Sequence, residues 1–216
     1  SVKAGEWLFP KKIVNSSKFC VIHNAVDREK YRYSVQKREE IRGSMGITDQ
    51  FVIGHVGNFC YQKNHYFLLD VFEEVHKKDP NTVLLLAGDG VRFEKVRQIV
   101  AEKNLEDVVK LLGRRSDTDY LYQGMDAFLL PSNFEGLPIA GIEAQSAGLP
   151  CFMSDEITKE SKITEACYFI PLKSGAKYWA EEILDNRMER QSAEFLDNAE
   201  QYDLANQDQE LKSLIR

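Results

Sequence analysis

Nowhere does the sequence sustain an apolar run near the ~18 residues that a membrane-spanning helix requires, and its start, "SVKAGEWLFPKK", lacks the apolar stretch of a signal peptide. Cysteine is sparse: Cys20, Cys60, Cys151 and Cys167 are widely separated, without CxxC or zinc-type spacing. Three of them lie in apolar runs, which predicts buried, reduced thiols and a reducing, cytoplasmic compartment. The histidines His23, His55, His65 and His76 show no HxxxH or other ligand spacing, so no metal site is expected. The GxGxxG and GxxxxGK[ST] patterns are missing, which argues against a dinucleotide fingerprint and a P-loop. No GxSxG occurs either, which weakens an α/β-hydrolase reading. Basic charge is not in excess: 28 Lys and Arg against 34 Asp and Glu give a net charge of −6, with the cations dispersed. Such a surface does not suit a nucleic-acid partner, but a small anion held by local donors remains compatible with it.

What is present is an α/β rhythm over 216 residues, enough for one large domain, with 43% hydrophobic content. "KFCVIHN" has strand character, and a charged helix is predicted from about Asp27 to Met45, stopped by Gly46. "FVIGHVGN" reads as a buried strand. In "KNHYFLLDVFEEVHKKD", Phe67, Leu68, Val71, Phe72 and Val75 share one helical face, and Pro80 ends it. "TVLLLAG" suits a parallel strand covered on both faces. "VRFEKVRQIVAEKN" predicts a helix, "VVKLLG" a strand, "TDYLYQGM" a short helix and "DAFLLP" a strand. A helix from Pro138 to Gly148, short strands "CFMS" and "CYFIP", and a polar helical stretch from Gly175 to the end complete the series. This alternation predicts an open, parallel, Rossmann-like sheet with helices on both faces.

Ligands of such sheets bind beyond the carboxyl ends of the strands. The loops to inspect are therefore 57–64, 88–90, 113–117 and 131–138. The last one opens "PSNFEGLPIAGIEAQSAGLP", in which Glu135 precedes a helix start and Glu143 lies inside the helix. Free amides of Gly136, Leu137, Ile139 and Ala140 around Pro138 make an anion site at the positive end of the helix dipole. Glu143 would stand ~7.5 Å along the axis from Pro138, so an anion there has a carboxylate on either flank. Carboxylates accept from hydroxyls, which points to a ligand with a charged middle and hydroxyls at both ends: sugar, diphosphate, ribose. Lys63 can supply a compensating cation. Taken singly, glutamates near a helix start are more commonly surface residues favoured by the dipole, and a lone lysine is more commonly solvated.

The ordered series "GHVGNFCYQKNH … LLAGDG … LLGRRSD … MDAFLLPSNFEGLPIAGIEAQSAGLP" resembles the carboxyl-terminal, donor-binding domain of glycosyltransferase family 4, a group of retaining GT-B enzymes. The likeness runs from "VIHNAVD" to the strands after Pro150, and its tone is closest to bacterial enzymes of capsule and exopolysaccharide synthesis. It implies that Glu135 bonds donor-sugar hydroxyls and Glu143 the ribose, while Leu137, Ile139, Gly136 and Lys63 hold the diphosphate. Gly57 and Asn58 would cover the phosphates, and the backbone of Gly113 and Arg114 would meet the base. Transfer with retention from a UDP- or GDP-linked sugar, without a bound metal or other cofactor, is the chemistry implied.

The family usually has arginine where Asn58 stands, so one diphosphate cation is absent. By the same resemblance, residues 1–17 correspond to the end of a preceding acceptor domain and its linker, 18–190 to the nucleotide-sugar domain and 191–216 to a helical tail. That acceptor domain would take a glycan or lipid-linked acceptor and allow peripheral association with the inner face of the cell membrane. Two other functions stay open at this point: a nucleotide-sugar 2-epimerase of the same fold, and a non-catalytic nucleotide-sugar-binding module.

Overall fold

Six short apolar runs become the strands of one parallel sheet: β1 (Phe51–Val56), β2 (Thr82–Ala87), β3 (Val109–Gly113), β4 (Ala127–Leu130), β5 (Cys151–Ser154) and β6 (Cys167–Ile170). The structure, a computed structural model, describes residues 5–6, 8–16, 19–21, 24–207 and 212. Strand order is β3-β2-β1-β4-β5-β6, every pairing parallel. After a four-residue helix at Lys11–Val14 come the helices α1 (Arg28–Tyr31), α2 (Val35–Ser44), α3 (His65–Lys78), α4 (Phe93–Glu102), α5 (Thr118–Gly124), α6 (Ile139–Ser146) and α7 (Gly175–Asp185).

Alternation along the strands sorts the core into two layers. Val52, Leu85, Phe128 and Met153 face Ile41, Leu121, Tyr122 and Ile142 of α2, α5 and α6. Ile53, Leu84, Leu86, Leu129 and Phe152 face Leu68, Phe72, Val96, Trp179 and Ile183 of α3, α4 and α7. Full burial of each such side chain stabilises by about 1.5–3 kcal/mol before entropy is counted. At the amino-terminal edge, Asp126 ties the layers together. Its Oδ2 accepts from Val52 N at 2.8 Å and Arg42 Nη1 at 3.1 Å, and its Oδ1 from Arg38 Nη2 at 2.6 Å.

The order reverses between β1 and β4, so the loops leaving these two strands diverge and open a crevice at the carboxyl edge. This crevice is where the candidate site lies.

Four expectations need correction. The helix expected over Asp27–Met45 is broken at Arg32–Ser34, because Gln123 takes over the backbone there: its Nε2 donates to Tyr31 O and Arg32 O, and its Oε1 accepts from Ser34 N. The polar stretch after Gly175 is helical to Asp185 and helical again from Asp197, as a 3-10 helix to Tyr202 and an α-helical turn over 204–207, but is interrupted between them. Residues 186–196 are irregular, since Arg190 donates across to the carbonyls of Tyr122, Met125 and Ala147 and the chain follows it. Phe19–Val21 form no strand, while Lys18, Ile22 and His23 of the same run lie outside the described residues. Finally, α6 begins at Ile139 with Pro138 as its N-cap, one residue later than expected.

Candidate functional site

A groove of about 460 Å3 follows the carboxyl ends of β1, β2 and β3, lined by 56–58, 87–90, Arg114, Arg115 and Thr118. Its walls depend on close backbone approach. A Cβ at Gly88 (φ 141°) would sit 1.9 Å from Gly57 O, and one at Gly90 (φ 151°) 2.2 Å from Asn58 Oδ1. Only glycine fits there, so the loops after β1 and β2 can press together. Asn58 is exposed on the rim. Arg115 pairs with Asp117 at 2.6 Å, which lowers the acid and raises the guanidinium; Arg114 is exposed and has no ion pair among the described residues.

Glu135 and Lys63, distant in sequence, meet across the crevice at 2.5 Å, with side chains 7% and 15% exposed. Ser132 Oγ donates to the same Oε1 at 2.9 Å, and Gln62 Nε2 to Oε2 at 2.9 Å. An ionised carboxylate has about four acceptor positions, so one is left for a ligand. The Lys63 cation is therefore shared with Glu135 rather than free. Lys63 also borders the groove: its Cε lies 3.2 Å from where a Cβ on Gly57 would be.

Glu143, half-buried on α6, is held by two phenols. Tyr31 Oη donates to Oε1 at 2.7 Å and Tyr122 Oη to Oε2 at 2.9 Å. Burial first, and then the Glu143 charge, push both phenols above their ordinary value, so they keep their protons and remain donors. Thr118, the first residue of α5, lies on the groove wall beside Tyr31. Lys63 thus joins the Glu135 cluster to the groove, while Thr118 neighbours both the groove and Tyr31 of the Glu143 cluster. The amides of Leu137, Ile139 and Ala140, at the start of α6, donate to no other backbone group among the described residues, and Gly136 beside them is exposed.

Beneath Gly57 lie two buried histidines. His55 Nδ1 is 2.8 Å from Leu129 O, while its Nε2 has no partner; His65 has none for either nitrogen. His65 stacks on Phe59 and meets His55 edge-on. Burial lowers both, His65 to about 4, so both rings are neutral near pH 7. Among the described residues, no group of three His, Cys, Asp or Glu side chains could hold a metal ion, and no helix is long and apolar enough to cross a membrane.

Of the expected thiols only Cys151 and Cys167 are buried, with Cys167 pushed up to about 12 by burial; Cys20 is exposed, in Phe19–Val21, which form no strand. The structure gathers Gly57, Asn58 and Arg114 on the groove, with Gly113 at the end of β3, and sets Lys63 with Glu135 and Glu143 beside it. Tyr31, Tyr122, Gln62, Ser132, His55 and His65 were not singled out by the sequence. Only His55, a polar ring inside an apolar strand, carried a readable signal.

A model of the family described as "Glycosyl transferases group 1" matches residues 37–202. The chain is 34% identical over 158 residues to the "Putative glycosyltransferase EpsF" of Bacillus subtilis (strain 168), covering 73% of this chain and 41% of that protein. It is 33% identical over 146 residues to the "UDP-Gal:alpha-D-GlcNAc-diphosphoundecaprenol alpha-1,3-galactosyltransferase" of Escherichia coli, covering 66% and 38%. The chain thus spans about two fifths of these relatives. Among solved structures, Anabaena Alr3699/HepE in complex with UDP and glucose superposes with a TM-score of 0.72 at 18% identity, covering 94% of this chain and 58% of that one. A glycosyltransferase from Rickettsia africae ESF-5 gives 0.77 at 15% identity, covering 99% and 60%. At such identities these two likenesses concern the fold.

Proposed function

The chain belongs to the glycosyl transferases group 1 family, and on that premise we propose that it is the donor-binding part of an enzyme that moves a sugar from a nucleoside diphosphate to a glycan or lipid-linked acceptor. One observation carries the reading: two carboxylates, each fixed by its own donors, stand beside a glycine-walled groove at the carboxyl ends of β1, β2 and β3, next to the reversal point of the sheet.

The base lies against the backbone of Gly113 and Arg114, and the ribose hydroxyls donate to Glu143. The diphosphate meets the amides of Gly136, Leu137 and Ile139, with Lys63, Gly57 and Asn58 closing from the other side. Glu135 uses its remaining acceptor position for a hydroxyl of the donor sugar. As the bond from the anomeric carbon to the diphosphate oxygen breaks, negative charge grows on the leaving group. The helix start and Lys63 face that charge, so these groups favour the transition state over the ground state without a bound metal. The acceptor hydroxyl then attacks the oxocarbenium-like sugar from the same face, with retention, as its proton passes to the departing diphosphate oxygen.

Support for a nucleotide-sugar donor and a lipid-linked acceptor comes from relatives whose names include UDP-Gal with diphosphoundecaprenol, and GDP-mannose with a diphosphopolyprenol. In this reading the reaction runs at the inner face of the cell membrane, where a lipid-linked acceptor lies.

Calorimetry with UDP and GDP tests the site. Glu143→Ala removes one or two charge-assisted bonds and is expected to weaken binding at least ~10-fold. Glu135→Ala spares the bare nucleotide. Unchanged affinity in Glu143→Ala would refute its ribose role.

A further inference from the structure

We propose that Tyr31 and Tyr122 are positioning residues that aim Glu143 at the ribose, and that through them the protein selects ribonucleotides over nucleotides lacking the two ribose hydroxyls. The inference rests on the Glu143 assignment above and goes beyond it.

Glu143 has a flexible side chain on a half-exposed helix face, so alone it would sample several rotamers. Two donors from two different elements remove that freedom. Tyr122 on α5 is fully buried, and its hydroxyl reaches Glu143 Oε2 at 2.9 Å and Ala140 O at 3.2 Å. Having one proton, it favours the nearer, charged acceptor. Tyr31 ends α1 and takes the other oxygen at 2.7 Å. Each phenol fills one acceptor position on one oxygen, which leaves one on each for the two neighbouring hydroxyls of a ribose.

The break at Arg32–Ser34 belongs to the same device. Gln123, buried on α5, holds Tyr31 O at 3.0 Å and Ser34 N at 3.0 Å, so the chain turns away after Tyr31 and its ring stays over Glu143. The Tyr31 and Tyr122 rings meet edge-on at 5.8 Å, which fixes one against the other. Thr118, the first residue of α5, sets this pair of rings beside the groove wall.

A purely structural role, two rings filling the core, is separable from this one. Phenylalanine keeps the ring and loses only the donated proton. The test measures dissociation constants of UDP, GDP and their 2′,3′-dideoxy forms by calorimetry on the full chain, with thermal melts as a folding control. The unaltered protein is expected to prefer the ribose form at least ~10-fold. Tyr31→Phe and Tyr122→Phe should each cut that preference about threefold or more, leaving dideoxy affinity within about twofold. Equal weakening of both forms, or an unchanged preference in a folded variant, overturns the inference. Should Tyr31→Phe fail to fold, Tyr122→Phe decides alone. If Glu143→Ala abolishes the preference while both phenylalanine variants keep it, the inference alone fails. If Glu143→Ala itself keeps the preference, or if neither nucleotide binds, the site reading fails with it.

Discussion

Replacing Lys63 with methionine keeps the length of the side chain and removes its charge, leaving Glu135 ionised with a side chain only 7% exposed. Breaking a buried ion pair by removing one partner typically costs about 3–5 kcal/mol, because the remaining charge stays desolvated. Here Ser132 and Gln62 still donate to the carboxylate, and Lys63 was itself 15% exposed, so about 2–3 kcal/mol is the reasoned loss. For a domain of this size that corresponds to a fall in Tm of roughly 5–10 °C. Urea denaturation of wild type, Lys63→Met, Glu135→Gln and the double variant completes the cycle, with an expected coupling of about 2 kcal/mol. Nucleoside diphosphate binding follows a different pattern: the double variant should recover most of the stability and none of the affinity, since no cation faces the phosphates. A Lys63→Met variant within about 0.5 kcal/mol of wild type, or strict additivity in the cycle, would refute the argument.

Asn58 stands exposed on the groove rim, and Asn58→Arg should tighten UDP or GDP about 5- to 30-fold at low salt, less as salt rises, by calorimetry; no gain in a folded variant would place it away from the phosphates. His65 has a folded-state value of about 4 against an ordinary ~6.5, so below pH 6.5 the unfolded chain takes up a proton that the folded one refuses. Stability is then flat above about pH 7 and falls toward pH 4, by about 2 kcal/mol at pH 5 from this ring. Urea curves at pH 8 and 5 should show that loss reduced in His65→Phe, and an equal pH dependence in both would contradict it. Transfer by a longer protein containing this chain should survive EDTA; loss restored by Mg²⁺ or Mn²⁺ would count against charge stabilisation by Lys63 and the α6 start.

The strands were legible because burial on both faces leaves few alternatives to apolar residues: "TVLLLAG" and "DAFLLP" became β2 and β4 almost as bounded. Helix α3 was equally plain, since its apolar residues recur at helical spacing and Pro80 stops it. The segment 186–196 misled because its composition is helical while its conformation is set by carbonyls far away in sequence, which Arg190 reaches. The same holds for 27–45, where one buried amide, Gln123, overrides local propensity.

By itself, then, the sequence determined the six strands of the sheet, most of the helices between them and which loops leave the strands, because these are written in local patterns of apolarity, glycine and proline. It also marked Glu135, Glu143 and Lys63 as belonging to one kind of site, through their place in those loops. Only the tertiary structure decided that β1 and β4 are neighbours, that Lys63 and Glu135 neutralise each other, and that two phenols hold Glu143. Those facts depend on contacts between residues separated by 21 to 112 positions, and no local pattern encodes such distances. The order in which the strands pack is what brings them together.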